Sequence, residues 1–237
     1  MLNGKKVVGI VPYALNYGKT EDRYADKYFF TDTYCVRAKA SGLIPVGILP
    51  VDCRLETEAA DLCDAFIVQG GKAMNPFHIE LVEYAIKTGK KLLGICLGCQ
   101  SVQTYFGAKE EAQKCGFTGE VGEFYRQNSA GRVYRFLKRV EGHYPSEILP
   151  RGDLSSVKHP VHLAPDSQLA KILGKTEIMG ASFHIYCIGE PAPGITVTGR
   201  ADDGTIEAIE YGDKIIGTQF HPDVDGELQQ IFDWLKD

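Results

Sequence analysis

A cysteine and a histidine far apart in the chain have surroundings that suit nucleophilic catalysis. Cys96 ends a short apolar run over 92–95, is followed by a helix-like pattern, and has Gly94 and Gly98 two residues to either side. This spacing predicts a nucleophile elbow, a sharp strand-to-helix turn in which small neighbours admit a strained backbone. The positive end of the following helix would favour the thiolate. Cys96 is therefore the candidate nucleophile.

A second stretch supplies the partner that a cysteine nucleophile needs. An apolar run over 215–219 leads to His221, and Asp223 follows two residues later. A thiol nucleophile requires a base that takes up and returns a proton, and a third group that orients this base. We expect His221 to be the base and Asp223 to orient it.

The predicted elements place these residues at one edge of a sheet. Apolar runs of strand length alternate with helical spacing, which predicts right-handed βαβ units and a parallel sheet. Sites in such sheets form beyond the carboxyl ends of the strands, where Gly71, Cys96 and His221 all fall. The predicted strands are 7–11, 43–49, 65–68, 92–95, 159–163, 178–183, 196–198, 206–209 and 215–219. The predicted helices are 26–40, 76–88, the segment after Cys96, 166–173 and the apolar stripe over 228–235.

Composition bounds the class of protein. The 237 residues are 44% hydrophobic and 10% aromatic, which is enough for the core of a single domain over 1–237. A net charge of −5 without a basic cluster gives no reason to expect nucleic acid as a partner. The apolar runs are short and the first residues lack the core of a signal peptide, so we expect no membrane partner and a cytoplasmic location.

Two short motifs suggest alternative chemistry. The seven cysteines are scattered and favour reduced thiols, but Cys96 and Cys99 form a Cys-x-x-Cys motif. A redox pair of this kind belongs near the start of a small βαβ domain, which disfavours the redox interpretation. His159 and His162 form a His-x-x-His motif without cysteine or carboxylate partners at ligand spacing. We therefore expect neither a metal site nor a cofactor.

Further motifs in consistent order carry a family resemblance. They are Gly-Ile-Cys-Leu-Gly-Cys-Gln at 94–100, Gln-Phe-His-Pro-Asp at 219–223, Gln-Gly-Gly at 69–71, Ser-Phe-His at 182–184 and Asp-Gly-Thr-Ile-Glu-Ala-Ile-Glu at 203–210. Nearly the whole chain resembles the class I glutamine amidotransferase superfamily, and within it the gamma-glutamyl-gamma-aminobutyrate hydrolase type of peptidase. The resemblance implies an α/β fold, a single flavodoxin-like domain whose mostly parallel central sheet is flanked by helices and extended by some antiparallel strands.

The resemblance also implies roles for residues around Cys96. The N–H groups of Gly71 and Leu97 would form the oxyanion hole, and Gln100 would touch the glutamyl moiety of a substrate. One segment would hold the α-amino and carboxylate groups of that moiety through its backbone: Ser182, Phe183 and His184.

Some features depart from the family or resist interpretation. Asp223 stands where the family usually has a glutamate, which is one methylene longer, and the stretch 75–80 lacks the usual arginine. The arginine-rich insertion over 108–158 is either a contact for an acidic substrate or partner, or a solvated hairpin or lid. The polar and aromatic segment 16–24 is expected to be a loop at a strand end.

Three classes of function remain from the sequence. The first is hydrolysis of the gamma-glutamyl amide bond of a small compound through a cysteine thioester. The second is a glutaminase subunit that supplies ammonia to a separate synthetase partner. The third is a non-catalytic, ligand-binding relative. The oligomeric state, including a homo-oligomer, and the amine half of the substrate are left open.

Overall fold

The computed structural model describes residues 2–15, 27–128, 136–145, 154 and 156–237. The strands in this part of the chain are β1 Val7–Val11, β2 Tyr13–Leu15, β3 Lys27–Phe29, β4 Ile44–Gly47, β5 Ala65–Val68, β6 Lys91–Ile95, β7 Leu137–Arg139, β8 Lys158–Leu163, β9 Glu177–Ala181, β10 Tyr186–Ile188, β11 Thr196–Ala201, β12 Ile206–Tyr211 and β13 Ile215–Thr218. The helices are α1 Asp32–Ala40, α2 Thr57–Asp61, α3 Pro76–Thr88, α4 Leu97–Lys114, α5 Val121–Asn128, α6 Gln168–Leu173 and α7 Gln230–Asp233.

Nine of these strands form one central sheet in the order β4-β1-β5-β6-β13-β12-β11-β8-β9. The pairs from β4 to β13 are parallel, and those from β13 to β9 are antiparallel. Because only β12 and β8 run against the rest, seven of the nine strands share one direction. The predicted mostly parallel sheet, with antiparallel strands late in the chain, is confirmed.

Helices cover both faces of the sheet, and β6 is buried between them. Leu92 packs with the side chains of α3, α4 and α5, whereas Leu93 and Ile95 pack with those of α1, α6 and α7. A strand that is covered on both faces reads as a continuous apolar run, which explains the sequence before Cys96. Among the described residues, no helix has the length and apolar character needed to cross a bilayer.

The first predicted helix starts later than its spacing indicates. Residues 27–29 form β3, which pairs with β2, and α1 begins only at Asp32. The rings of Tyr13 and Phe29 stack with centroids 5.5 Å apart, so side-chain packing across this hairpin outweighs the helical pattern. The predicted loop over 16–24 lies outside the described residues.

Part of the insertion over 108–158 has regular structure. Helix α4 continues to Lys114, α5 follows, and β7 pairs with β10. Arg126 on α5 forms an ion pair with Glu80 on α3, so this arginine braces two helices. Three more arginines of the insertion lie outside the described residues: Arg132, Arg135 and Arg151. The C-terminal stripe is buried as predicted, although the helix there is short and ends in a 3-10 turn.

Candidate active site

Cys96 lies at the turn between β6 and α4, and its backbone is strained. Its φ of 52° and ψ of −102° lie where residues with side chains are rarely found. A Cβ on Gly94 would come within 2.6 Å of the backbone of Gly98. A Cβ on Gly98 would come within 2.1 Å of the carbonyl oxygen of Val68. The predicted elbow geometry is present, and both glycines are needed because the helix packs directly on the strands.

His221 lies beside Cys96 and is hydrogen-bonded to Asp223. Its Nδ1 is 3.0 Å from Oδ1 of Asp223, and the ring interacts with the side chain of Cys96. Burial disfavours a charged imidazole, but the charge and hydrogen bond of Asp223 and the contact with Cys96 raise the pKa of His221 to about 10. At neutral pH the arrangement is a carboxylate and an imidazolium in line with the sulfur of Cys96.

Helix α1 holds Asp223 in place. The hydroxyl of Thr33 donates to Oδ2 of Asp223 at 2.6 Å, and Nε of Arg37 donates to the backbone oxygen of Asp223 at 3.1 Å. Burial alone would raise the pKa of Asp223, but the charge of His221 and the hydrogen bonds from His221 and Thr33 lower it. The aspartate therefore reaches the imidazole despite its shorter side chain, because α1 fixes the backbone and the carboxylate together.

The glycine loop after β5 lies across the site from α4. The N–H of Gly70 donates to the hydroxyl of Tyr34 at 2.9 Å, so the next N–H along the chain, that of Gly71, is the one that can face a ligand. Gly71 packs against the ring of Tyr13, where a Cβ would come within 2.6 Å. Leu97 is the first residue of α4, so its N–H has no carbonyl partner within the helix. Both predicted oxyanion donors line the same cavity.

A cavity of about 340 Å³ opens in front of the thiol. Six of the residues predicted from the sequence line it: Gly71, Cys96, Leu97, Gln100, Phe183 and His184. Its other walls are Lys72, Tyr144, Ile185 and Tyr186. Segments that are distant in the chain thus converge on one space beside the elbow.

Ser182 is the predicted site residue whose side chain faces elsewhere. Its hydroxyl donates to the carbonyl of His143 at 3.0 Å, and its N–H donates to Val157 at 2.9 Å. The N–H of His184 also donates to the carbonyl of His143, at 2.8 Å. Among the residues that the structure describes, the N–H of Phe183 and the carbonyl oxygens of this segment are therefore the backbone groups left for a ligand. Of the backbone contacts expected from 182–184, only these could hold a glutamyl group.

Gln100 lies one turn into α4 and is held in place by its amide nitrogen. Nε2 donates to the carbonyl of Tyr186 at 2.8 Å and to Oε1 of Gln219 at 3.1 Å. Since both donors are used within the protein, the side-chain carbonyl is the group that can accept a hydrogen bond from a ligand amine.

The two alternative motifs have different surroundings. Cys99 is fully buried, and burial raises its pKa well above the ordinary value for a thiol; all seven cysteines are free. His162 is half-exposed and contacts Asp202 at 2.7 Å. His159 instead lies with His143 and Glu207 in the one group of potential metal ligands among the described residues. Sequence spacing gave no sign of that group, because its members come together only in the fold.

Several residues of the site were not predicted. Thr33 and Tyr34 lie in the first turn of α1. The sequence pattern placed Tyr34 only on one face of the helix predicted over 26–40. Lys72 and Tyr144 also line the cavity. Lys72 precedes the stretch 75–80 that departs from the family, and Tyr144 belongs to the insertion over 108–158. The Thr33-Tyr34 pair is too common a sequence pattern to predict the hydrogen bonds that these residues form with Asp223 and Gly70, which depend on tertiary packing.

Solved structures share this architecture over almost the whole chain. A protein of Thermoplasma acidophilum, provisionally named as part of a GMP synthase, aligns with a TM-score of 0.62 at 16% identity, covering 98% of this chain and 94% of that one. A glutamine amidotransferase from Thermotoga maritima aligns with a TM-score of 0.56 at 15% identity, covering 94% and 79%. Identities this low show the fold alone, and that fold is of the class I glutamine amidotransferase-like type.

The sequence model of the peptidase C26 family matches residues 75–223, a range that includes Cys96, His221 and Asp223. The chain belongs to the peptidase C26 family, whose members and relatives are cysteine amidohydrolase-type enzymes. A glutamine amidotransferase-like protein of Lactococcus lactis, provisionally named YvdE, is 25% identical over 209 residues, which cover 78% of this chain and 76% of that one.

Two other relatives are much longer than the region they share with this chain. A provisionally named glutamine amidotransferase of Schizosaccharomyces pombe is 32% identical over 146 residues, covering 60% of this chain and 47% of that protein. The CTP synthase of Corynebacterium jeikeium is 25% identical over 189 residues, covering 73% of this chain and 33% of that protein. The chain thus spans about half of the first and a third of the second.

Proposed function

We propose that this protein hydrolyses the gamma-glutamyl amide bond of a small gamma-glutamyl compound through a thioester on Cys96. The observation that carries the proposal is the line from Asp223 through His221 to a strained cysteine that opens on a cavity. Membership of the peptidase C26 family supports the same class of reaction.

Acylation starts from the thiolate of Cys96 beside the imidazolium of His221. The sulfur attacks the side-chain amide carbon of the substrate, and the C–N bond breaks as His221 gives its proton to the departing amine. Asp223 keeps the imidazole in the orientation that this proton transfer needs. The product of this half-reaction is a gamma-glutamyl thioester.

Hydrolysis of the thioester uses the same groups in reverse. Neutral His221 takes a proton from a water molecule, which attacks the acyl carbon and releases glutamate and the thiolate. In both steps the negative oxygen would be held by the N–H groups of Gly71 and Leu97. Each such donor contributes roughly 3 kcal/mol at other acyl-transfer sites.

The walls of the cavity suggest the character of the amine half. If Gln100 and the segment 182–184 hold the glutamyl moiety, the walls that remain beside the leaving amine are Lys72, Tyr144, Ile185 and Tyr186, and Lys72 is the cationic one. A lysine ammonium there favours an amine that carries its own carboxylate, such as an amino acid. A panel of gamma-glutamyl amides with acidic, neutral and basic leaving groups should therefore show the highest kcat/KM for the acidic ones, and this preference should fall in Lys72→Met.

Labelling with a diazo-ketone analogue of glutamine tests the assignment of the nucleophile. Intact-mass spectrometry of wild type should show one adduct, peptide mapping should place it on Cys96, and Cys96→Ser should show none. Amine release from gamma-glutamyl amides is followed in parallel. Cys115→Ser is the matched control, because it removes an exposed thiol away from the cavity and should label and turn over like wild type.

Labelling spread over other thiols without turnover would contradict the proposal and favour the non-catalytic, ligand-binding alternative. The glutaminase alternative rests on the named activities of relatives, a CTP synthase and part of a GMP synthase. It predicts that glutamine is the preferred substrate and that ammonia release by the isolated chain is slow until a synthetase is added. Fast hydrolysis of gamma-glutamyl amides by the chain alone supports the first proposal over this one.

A further inference from the structure

A second histidine–carboxylate cluster lies behind the segment 182–184. Glu207 on β12 is completely buried, and three imidazole nitrogens surround its Oε1. Nδ1 of His143 is 3.2 Å away, Nε2 of His184 is 3.3 Å away and Nε2 of His159 is 3.6 Å away. Among the described residues, Oε2 of Glu207 and Nε2 of His159 are buried without a hydrogen-bond partner. The centre of the cluster is therefore incompletely satisfied.

The outer nitrogens of two of these rings show where their protons lie. Nε2 of His143 is 3.0 Å from Oδ2 of Asp203, and Nδ1 of His159 is 3.1 Å from the carbonyl oxygen of Pro160. Carbonyl and carboxylate oxygens only accept hydrogen bonds, so these outer nitrogens must be the donors. In their neutral forms, both rings then direct a lone pair toward Glu207.

Lone pairs that converge on a carboxylate require a positive group between them. The hydroxyl of Ser182 lies 3.2 Å from Nδ1 of His143, but it donates its proton to the carbonyl of His143. It therefore cannot donate a hydrogen bond to the lone pair on Nδ1. The positive charge therefore has to come from another source at this centre. That charge is either a proton on the imidazole or a metal cation.

Two of the three spacings between the ligand atoms match a tetrahedral cation. With metal–ligand bonds of roughly 2.0–2.1 Å, two atoms at the tetrahedral angle are about 3.4 Å apart. The distances from Oε1 of Glu207 to the ring nitrogens of His143 and His159, 3.2 and 3.6 Å, bracket this value. All three ligand atoms lie within 4.8 Å of one another, so the two rings would draw together when a cation binds. Metal-bound histidines also donate their other ring nitrogen to an oxygen, as Asp203 and Pro160 allow here.

A cleft borders the two histidines of the cluster on one side. It has a volume of about 220 Å³ and is lined by His143, His159, Asp202 and Asp203, among others. A cation could approach from this cleft, and a water molecule there could serve as a fourth ligand. The opposite side is closed by His184, which lines the cavity in front of Cys96.

We propose that His143, His159 and Glu207 bind a divalent transition cation of the zinc class. Two imidazoles and one carboxylate are a ligand set that zinc uses widely in proteins. The cation would join the segment that carries His143 to β8 and β12, and it would hold His184 through their shared neighbour Glu207. This site is distinct from Cys96, and its existence does not depend on the proposed hydrolysis.

Metal titration of the full chain tests this site. The protein is prepared without a histidine tag, in a Cys96→Ser background that removes the catalytic thiol as a ligand, and is treated with a chelator. Titration with Co²⁺ should give one equivalent of a tetrahedral visible spectrum without a thiolate charge-transfer band, and Zn²⁺ should displace it. The same Zn²⁺ should raise the Tm.

Two asparagine variants of β8 make the test specific. His159→Asn should weaken binding by roughly 100-fold or more and abolish the rise in Tm. His162→Asn, which changes a half-exposed histidine on the same strand, should bind like its parent. Absence of stoichiometric Co²⁺ binding, a thiolate spectrum, or unchanged binding in His159→Asn would each overturn the proposal; the first would leave a protonated His143 as the positive group.

Discussion

Two buried clusters in this protein combine histidine with a carboxylate, and they lie on either side of the segment 182–184. In the first, Asp223 contacts the single imidazole of His221, which in turn contacts Cys96. In the second, three imidazoles surround the single carboxylate of Glu207. The first arrangement is linear and the second is convergent.

The difference shows how geometry selects chemistry from the same residue types. Along the linear cluster every donor has an acceptor: Thr33 donates to Asp223, and His221 donates to Asp223 while it faces the thiol. A proton can therefore move at one end while the other end stays fixed, which suits acid–base catalysis. Around Glu207 the lone pairs point to one centre, which suits a bound cation.

Removal of the thiol breaks the linear cluster most completely. Cys96→Ser should lower kcat/KM for gamma-glutamyl amides by roughly 10⁴-fold or more, because a serine at this position keeps the partner His221 but ionises far less readily. Initial rates of amine release measure the loss. A variant that retained activity within tenfold of wild type would show that another group is the nucleophile.

The strained elbow distinguishes the first cluster structurally. Gly98→Ala should lower the free energy of unfolding by about 3 kcal/mol, because its Cβ would meet the carbonyl oxygen of Val68 at 2.1 Å. Gly189→Ala is a matched control, since the atoms nearest its added Cβ lie 3.6–3.7 Å away, at ordinary contact distance. Urea unfolding compares the two, and equal stabilities would contradict the packing described for α4.

Loss of the carboxylate charge should change the pH profile as well as the rate. Asp223→Asn should reduce kcat/KM by roughly 10²-fold, because His221 loses its orienting partner. It should also lower the pKa of His221 from about 10, so that the high-pH limb of the rate profile moves to lower pH. A profile with an unmoved limb would mean that Asp223 does not control this histidine. His162→Asn controls for a general effect of removing a histidine–carboxylate contact.

The stability difference between wild type and Asp223→Asn should depend on pH. His221 has a raised pKa, so its pairing stabilises the fold fully below the ordinary value of 6.5, and this contribution disappears as the pH rises through about 10. Asp223 has a lowered pKa, so its contribution is present above the ordinary value of 3.8 and disappears in acid. Between pH 3.8 and pH 6.5, the free energy of unfolding of wild type should exceed that of Asp223→Asn by about 2 kcal/mol. Urea unfolding at several pH values tests this, and a constant difference from pH 3 to pH 10 would contradict it.

Much of the cluster of Cys96, His221 and Asp223 could be predicted because each half of it is local in sequence. A strand-to-helix turn is indicated by the fixed spacing of Gly94, Cys96 and Gly98. At the end of an apolar strand, His221 precedes Asp223 by two residues. The fold could be predicted for a similar reason. Strands and helices alternate along the chain, and few topologies are possible for such a sheet when helices cover both of its faces.

The rest depended on contacts that no local pattern records. Thr33 meets Asp223 only because α1 packs beside the segment that follows β13, and His143 meets Glu207 only because the segment 182–184 bonds to its carbonyl. The His-x-x-His motif gave no guide to this cluster either, since His159 contacts Glu207 whereas His162 contacts Asp202. Long-range placement of polar side chains is the information that hydrophobic periodicity does not contain.

Direct detection of the acyl intermediate is the most decisive measurement. Wild type mixed with a gamma-glutamyl amide and quenched in acid during turnover should show, by intact-mass spectrometry, a covalent gamma-glutamyl group that maps to Cys96 and is released by hydroxylamine. Asp223→Asn should retain this adduct at a lower rate of formation, and Cys96→Ser should lack it. Turnover without any such adduct, or an adduct on another residue, would contradict the account of Cys96 as the nucleophile.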